Sequence, residues 1–412
     1  MGATTGMGRK EGPTRRLRIM VHDFAGHPFQ VQLSRALANR GHEVCHAYCA
    51  SLTTTPTGAL SIMEGDPKSL TIKPLSLGEA LEKYRFPKRW RQENEYGDIL
   101  GDAIAGFRPD VVLSGNTPLD AQKKALKASR RRGIGFVHWA QDLIGLATHR
   151  LLNHKWHGAG ALVGEHYLRM ERSILRRSDA VVVISEDFVP TLAEWGVDAA
   201  AIEVIENWAP LDEVPLLERD NPWSLDNDLP EGFRFVYTGT LGLKHNPDLL
   251  LQLALSRPDA SVVVVSQGRG ADWLLDRKAE MIVPNLRILG FQPFDRMGEV
   301  LSSADVLVAV LEPDADVFSV PSKVLTYLCA ARPVLLAVPA GNLAARIVER
   351  NGCGIVVAPT DTDAFLDAAS RLLRDADARD RMGTAARAYA ERTFEIERIT
   401  SRFERVLESA LT

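Results

Sequence analysis

Two stretches combine a permissive backbone with positive charge at spacings that suit a phosphate. The first is Tyr237-Thr-Gly-Thr-Leu-Gly-Leu-Lys-His-Asn246. Gly239 and Gly242 permit positive φ and close backbone approach. A helix start follows, where free N–H groups and the dipole favour an anion, with Lys244 in reach of the same charge. On the residues alone, a glycine-rich turn with a solvated lysine reads equally well. The second is Pro321-Ser-Lys-Val-Leu-Thr-Tyr-Leu-Cys-Ala330. Proline suits a first helical turn, and the amides of Ser322 and Lys323 are then free donors beside a hydroxyl and an ammonium. Taken alone, this stretch reads better as a capped structural helix. Neither stretch is a Walker A or a G-x-G-x-x-G fingerprint.

Two further groupings carry chemistry of another kind. His138-Trp-Ala-Gln-Asp142 closes a strand and is expected to point His138 and Asp142 into a cleft, where they orient a hydroxyl or touch a leaving phosphate. A packed histidine and a helix-capping aspartate account for them as well. Lys83-Tyr-Arg-Phe-Pro-Lys-Arg-Trp-Arg91 interleaves five cations with three aromatics. That mixture suits an anionic lipid surface, and a solvated basic loop is the alternative of similar weight. Arg130 to Arg132 reads as a helix end.

These residues need strands and helices to hold them. One theme repeats along the chain: a short β-branched run, a turn, then an amphipathic helix. In the first half the expected strands are Leu17 to His22, His42 to Cys49, Pro109 to Gly115, Gly135 to His138 and Asp179 to Ser185, with a helix from Pro28 to Arg40. Trp208 to Glu231 breaks the theme with four prolines, seven acidic residues and no period, and reads as a linker. The theme restarts with strands at Phe233 to Thr238, Ser261 to Ser266, Leu286 to Phe291, Asp305 to Leu311, Pro333 to Val338 and Gly354 to Ala358. Helices centre near residues 252, 276, 298, 326, 346 and 368. Nearly continuous apolar runs of this kind belong to parallel sheets covered on both faces. The fold class is therefore α/β, with two doubly wound Rossmann-like domains. Residues 1–16 are expected to be a disordered tail, 17–207 the first domain, 208–231 the linker, 232–394 the second domain, and 395–412 a helix returning to the first.

Composition narrows the class. The chain has 412 residues, 45% hydrophobic and 25% charged, an ordinary globular balance that accommodates two cores. Its net charge of −4 gives no overall drive toward nucleic acid. Cys45, Cys49, Cys329 and Cys353 lack metal spacing and read as reduced core thiols, which suits the cytoplasm. No apolar stretch approaches the roughly 18 to 20 residues that span a bilayer.

Taken together with their order, these motifs resemble family 4 glycosyltransferases of the GT-B fold, the branch that builds O-antigen, capsule and colanic-acid-like polysaccharides. Supporting stretches are Val181-Val-Val-Ile-Ser185, Val204-Ile-Glu-Asn-Trp208, Leu289-Gly-Phe-Gln-Pro-Phe294, Ser303-Ala-Asp-Val306, Arg332-Pro-Val334, Ala25-Gly26 and Gly41-His-Glu-Val44. The resemblance implies that Gly239, Thr240 and Lys244 lie at the donor diphosphate, with His245 as the register alternative to Lys244. It places Ser322 and Lys323 where backbone amides meet that diphosphate, and Phe291 and Gln292 where the nucleotide base is read. Gly26 falls on a loop facing donor and acceptor, and Asp142 matches a family segment more securely than His138. The family's E-x7-E glutamates are absent, because Phe318 and Thr326 stand at those positions. Thr326 retains one hydroxyl for the ribose contact, and Glu312, Asp314 or Asp316 is available for the missing first carboxylate. Asp314-Ala-Asp316 has the look of a metal-binding D-x-D, but a lysine and helix amides take over the metal's role in this arrangement.

The resemblance implies a retaining, metal-independent transfer from a nucleotide diphosphate sugar, with a UDP-sugar favoured and no cofactor. The acceptor is then a saccharide or polyprenyl-linked saccharide, reached in the cytoplasm or at the inner face of the plasma membrane through Lys83 to Arg91. Two rivals share the fold: a nucleotide-sugar 2-epimerase, and a non-catalytic subunit that binds a sugar nucleotide.

Overall fold

Each half of the chain forms a parallel sheet flanked by helices. The computed structural model describes residues 15–52, 59–82, 85–155, 159–242, 245–313 and 322–411. Most of the expected tail, and also Lys83, Tyr84, Lys244, Asp314, Asp316 and Phe318, lie outside the described residues.

The first half runs β1 (Arg18–Asp23), α1 (Pro28–Asn39), β2 (Glu43–Cys49), β3 (Leu70–Leu75), α2 (Phe86–Phe107), β4 (Val111–Gly115), α3 (Leu119–Arg130) and β5 (Gly135–Ala140). It continues through α4 (Ile144–Lys155), α5 (Ala159–Arg177), β6 (Ala180–Val183), α6 (Phe188–Glu194) and β7 (Ile202–Val204). Its strands pair in parallel in the order β3-β2-β1-β4-β5-β6-β7. The inner strands β4 and β5 are buried at every residue, which is why they read as unbroken apolar runs. The two edge strands were not expected from the sequence, for physical reasons. Leu70-Thr-Ile-Lys-Pro-Leu75 carries a lysine and a proline that only an edge strand tolerates. Ile202–Val204 spans three residues, too short to show a period.

The second half runs α7 (Pro222–Asp226), β8 (Phe233–Thr238), α8 (Asp248–Ser256), β9 (Ala260–Val265), α9 (Arg269–Glu280), β10 (Leu286–Leu289), α10 (Met297–Ser302) and β11 (Val306–Val310). Then follow α11 (Ser322–Cys329), β12 (Val334–Ala337), α12 (Leu343–Asn351), β13 (Gly354–Val357), α13 (Thr362–Arg374), α14 (Ala376–Thr393) and α15 (Ile396–Ser409). Its parallel order is β10-β9-β8-β11-β12-β13. β10 stops at Leu289, so Phe291 lies on the following loop and not on the strand.

The segment from Trp208 to Glu231 is not featureless. Trp208 is buried, stacked on Trp139 with ring centres 5.8 Å apart, and its indole N–H donates to Gln32 at 2.7 Å. α7 begins with a capping box in which Asn221 and Ser224 satisfy each other's backbone N–H. Its five residues are too few to show helical periodicity.

The last helix, α15, packs on α1, β5 and β6 of the first half. Phe403 enters an aromatic cluster with Trp139 (4.7 Å between ring centres), Trp208 (6.0 Å) and Phe29, which itself meets both tryptophans. Arg40 clamps the same helix through Glu397 and Glu404. A second tie joins the halves where Arg346 of α12 pairs with Asp187 at the start of α6. All four cysteines are free and buried.

Candidate active site

In each sheet the chain winds outward one way and then returns to wind the other way. The reversal lies between β1 and β4 in the first sheet and between β8 and β11 in the second. Loops leaving the carboxyl ends of such strand pairs diverge, and the crevice between them is where doubly wound sheets bind ligands. Both switch points are lined by polar side chains.

At the second switch point, β8 delivers Tyr237 and Thr238 into the glycine loop. Gly239 has φ +97°, a conformation that a side chain resists. A Cβ placed there would sit 3.4 Å from Lys323 Cε and 3.5 Å from Nζ, so glycine also keeps the lysine's space open. Lys323 stands in the first turn of α11. Its ammonium lies 3.9 Å from the centre of the Tyr237 ring and donates to the Tyr237 hydroxyl. That hydroxyl in turn donates to the Thr240 carbonyl at 3.0 Å. One buried tyrosine therefore ties the glycine loop to the start of α11. Tyr327 holds the base of the loop by accepting the Thr238 N–H at 2.8 Å.

The electrostatics favour an anion. Burial brings the Lys323 pKa down to about 7, because the charged form is poorly solvated. No carboxylate pairs with Lys323 among the described residues, and no described group accepts from the Thr240 N–H. The first-turn amides of α11 add their own positive end. A diphosphate would bring these groups the negative charge they lack.

The sequence-derived donor residues thus fall into two groups. Gly239, Thr240 and Lys323 converge, with exposed Ser322 and half-buried Thr326 on the same short helix. His245 joins them differently: its Nδ1 accepts the Gly242 N–H at 3.0 Å and braces the loop. Phe291 and Gln292 lie on the loop after β10. Gln292 accepts the Trp223 indole N–H at 2.8 Å and donates to the Gly290 carbonyl at 3.0 Å. Between that loop and the one after β9 opens a cavity of about 410 Å³, lined by Gln267, Gly268, Asp272, Leu289 and Gly290.

At the first switch point, His138 lies near the carboxyl end of β5. It lies inside the domain, buried, with Nδ1 accepting from the Gln122 amide at 3.1 Å, and burial pulls its pKa to about 4. Asp142 lies beyond the strand end, close enough for its charge to act on His27.

Sequence reasoning missed the group that fills this position. Fully buried Asp23 ends β1 and accepts from the His27 N–H, the Ala25 N–H (3.1 Å), His27 Nδ1 (3.4 Å) and the Asn116 amide (3.4 Å). Gly26, at φ +72°, makes the turn that brings His27 back onto Asp23. Asn116 follows β4 with φ 52° and places its amide 3.2 Å from His27 Nδ1. Asp23-x3-His27 with a glycine before the histidine, directly after a strand, was the available signal.

Among the described residues no cluster of three or more His, Cys, Asp or Glu side chains is arranged to hold a metal, and no helix is long and apolar enough to cross a membrane.

The description "Glycosyl transferase 4-like domain" matches residues 27–208, and "Glycosyl transferases group 1" matches residues 232–375. The chain belongs to the family 4 glycosyltransferases of the GT-B fold. It is 25% identical over 252 residues to WcaI of Escherichia coli (strain K12), whose name places it among colanic acid biosynthesis glycosyl transferases. That match covers 60% of this chain and spans 61% of the relative's length. Sucrose-phosphate synthase from Thermosynechococcus elongatus shares the fold with a TM-score of 0.73 and 17% identity, over 95% of this chain and 98% of that one. HepE from Anabaena, in complex with UDP and glucose, shares it with a TM-score of 0.71 and 13% identity, over 96% and 100%. As in that fold, the two domains of this glycosyltransferase-family chain face one another across a cleft.

Proposed function

We propose that this chain is a retaining hexosyltransferase that takes a sugar from a nucleotide diphosphate sugar, a UDP-sugar by preference, without a metal ion. The acceptor is a saccharide or polyprenyl-linked saccharide used in cell-surface polysaccharide synthesis. The observation that carries this reading is the Lys323–Tyr237–Gly239 arrangement at the second switch point: an ammonium with no described carboxylate, an amide with no described acceptor and a helix start converging beside a glycine. In this reading the 410 Å³ cavity after β9 and β10 takes the nucleoside end of the same donor. HepE, of the same fold, was solved with UDP and glucose, which favours uridine as the base.

In this mechanism the bond between the anomeric carbon and the diphosphate oxygen breaks as the acceptor oxygen bonds to that carbon from the same face. The acceptor proton passes to the departing diphosphate, so no protein nucleophile is required. Lys323, the α11 amides and Lys244 stabilise charge that grows on the leaving group, the kind of interaction that lowers a barrier without moving. Thr326 offers its hydroxyl to the ribose. The soluble face that meets lipid-linked acceptors is the start of α2.

The test is incubation of the full chain with a panel of nucleotide sugars and lipid extracts, with and without excess EDTA, followed by product stereochemistry. Transfer with retained anomeric configuration in EDTA is expected. Magnesium-dependent transfer would bring Asp314 and Asp316 back as metal ligands. Epimerised donor would establish the 2-epimerase instead, and bound but unreacted donor the non-catalytic subunit.

A further inference from the structure

The two sheets differ at their switch points. In the first, β1 and β4 pair from Ile19–Val111 through Asp23–Gly115, the last residue of each strand. In the second, among the described residues, β8 and β11 pair at two positions only, Phe235–Val306 and Val236–Leu307. Fraying does not account for the difference. β8 stays paired with β9 up to Thr238, and β11 with β12 up to Val310, again the last residue of each strand. The two strands part from each other while both remain in the sheet.

A side chain fills the parting. Leu307 donates its N–H to Pro333 on the β12 side, so Val308 turns its backbone groups toward β8. The next rung in register would then run from the Thr238 N–H to the Val308 carbonyl. Tyr327 of α11 stands in that rung. Its hydroxyl accepts the Thr238 N–H at 2.8 Å, and its single proton is directed at the Val308 carbonyl (3.3 Å) and the Thr238 carbonyl (3.2 Å). The Thr238 hydroxyl adds a contact at 3.3 Å. A direct rung brings N and O to about 2.9 Å, whereas a bridging oxygen holds them farther apart. Burial pushes the Tyr327 pKa up to about 12, so the hydroxyl stays a neutral donor and acceptor at any working pH. The whole side chain is buried, which fixes the wedge in place.

This wedge lies at the base of the candidate donor site. Gly239 follows Thr238, and Lys323 precedes Tyr327 by four residues, on the same face of α11. Tyr237 is bound to Lys323 and Thr238 to Tyr327, so α11 meets the glycine loop at two points. How far Tyr327 holds β8 from β11 therefore governs where Gly239 stands relative to the start of α11.

We infer that Tyr327 is a positioning residue of the donor site: its hydroxyl, inserted into the β8–β11 ladder, sets the width of the gap between Gly239 and the start of α11 that a diphosphate enters. Being buried, it acts through Thr238 and Gly239. The inference rests on the transferase reading, which puts the diphosphate in that gap.

The experiment titrates UDP and GDP calorimetrically into the full chain, wild type and Tyr327→Phe, in excess EDTA between about pH 6 and 9. Without the hydroxyl, Thr238 and Val308 either draw together or are left unpaired, and the gap changes in both cases. Kd is expected to rise about tenfold or more at every pH, with the wild-type pH dependence retained because Lys323 is intact. An unchanged Kd in folded Tyr327→Phe would make the hydroxyl a purely structural bond and overturn the inference. A flattened pH profile would overturn it too, since the effect would then run through the Lys323 charge. Tyr327→4-aminophenylalanine restores a donor and acceptor of the same reach and should return Kd to within about threefold of wild type. That variant keeps the test available should Tyr327→Phe not fold, and a folded chain that fails to recover affinity would contradict the inference. Absence of nucleotide binding in the wild type would count against the transferase reading itself and take this inference with it.

Discussion

The ammonium of Lys323 lies against the hydroxyl and over the ring of Tyr237, 3.9 Å from the ring centre. The tyrosine keeps the lysine beside Gly239 and in a poorly solvated place, so its charge is easily lost. With a pKa of about 7 in the ligand-free protein, against 10.5 for a solvated lysine, Lys323 is charged below about pH 7 and neutral above it. Donor binding that uses this charge should weaken as pH rises from 6 to 9. Lys323→Met should lower kcat/KM by about a hundredfold, or about 3 kcal/mol, and flatten this pH profile. Steady-state kinetics beside a melting curve check both points. A steep profile retained in the variant would assign the titration to another group.

Phe403 belongs to the last helix but is buried among first-domain aromatics. Replacing a buried phenylalanine by alanine removes its transfer energy and leaves a cavity, typically 3–5 kcal/mol. Phe403→Ala should therefore destabilise the first domain by about that amount in urea unfolding. A loss below about 1 kcal/mol would mean that α15 contributes little to that core.

Glu171 is buried and accepts the Leu146 N–H at 3.1 Å, beside Gly145, whose missing side chain lets the carboxyl approach. Burial raises its pKa to about 7, although the α4 amides pull the other way. The folded chain then holds a proton that the unfolded chain releases above about 4.5, so stability falls as pH rises from about 4.5 to 7. Glu171→Gln should be more stable than wild type at pH 8, on the order of 1–3 kcal/mol. The advantage should vanish near pH 4.5. Melting temperatures across this range decide it, and a pH-independent difference would contradict the assignment.

The start of α2 exposes Phe86 (59%) and Trp90 (49%) beside Arg85 and Arg91. Lys88 and Arg89 are already paired with Glu79 and Glu93, so fewer cations are available to lipid than the sequence count implied. Each available cation contributes about 1 kcal/mol at an anionic surface, and the aromatics add interfacial anchoring. We expect sedimentation with anionic liposomes at low salt, release at high salt, and loss of binding in Phe86→Ser/Trp90→Ser. Equal sedimentation of that variant would leave this surface without a lipid role.

Much of this was legible because β-branched runs such as Ala260–Val265 can only be inner parallel strands, and because the glycine loop follows one directly. Edge elements escaped for the opposite reason: Lys73 and Pro74 break the pattern of β3, and α7 is too short for a period. Among the candidate residues, Gly239 and Lys323 stood out by chemistry and position, and Thr240 entered only through the family resemblance. A strand-terminal histidine such as His138 looks the same in sequence whether it packs or faces a crevice, and only the fold shows that Gln122 takes its Nδ1. The Asp23–His27 pair was hidden because its meaning depends on Asn116, which is distant in sequence and adjacent in space only through the β1–β4 pairing.

The central claim is that the loop after β8 and the start of α11 together hold a nucleoside diphosphate. Calorimetric titration of UDP and GDP into wild type and Lys323→Met, in excess EDTA at pH 6.5, tests it most directly. The account expects saturable one-to-one binding of at least one nucleotide, weakened tenfold or more in the variant while its melting temperature is preserved. Binding of neither nucleotide to the wild type, or equal binding to a folded Lys323→Met, would contradict it.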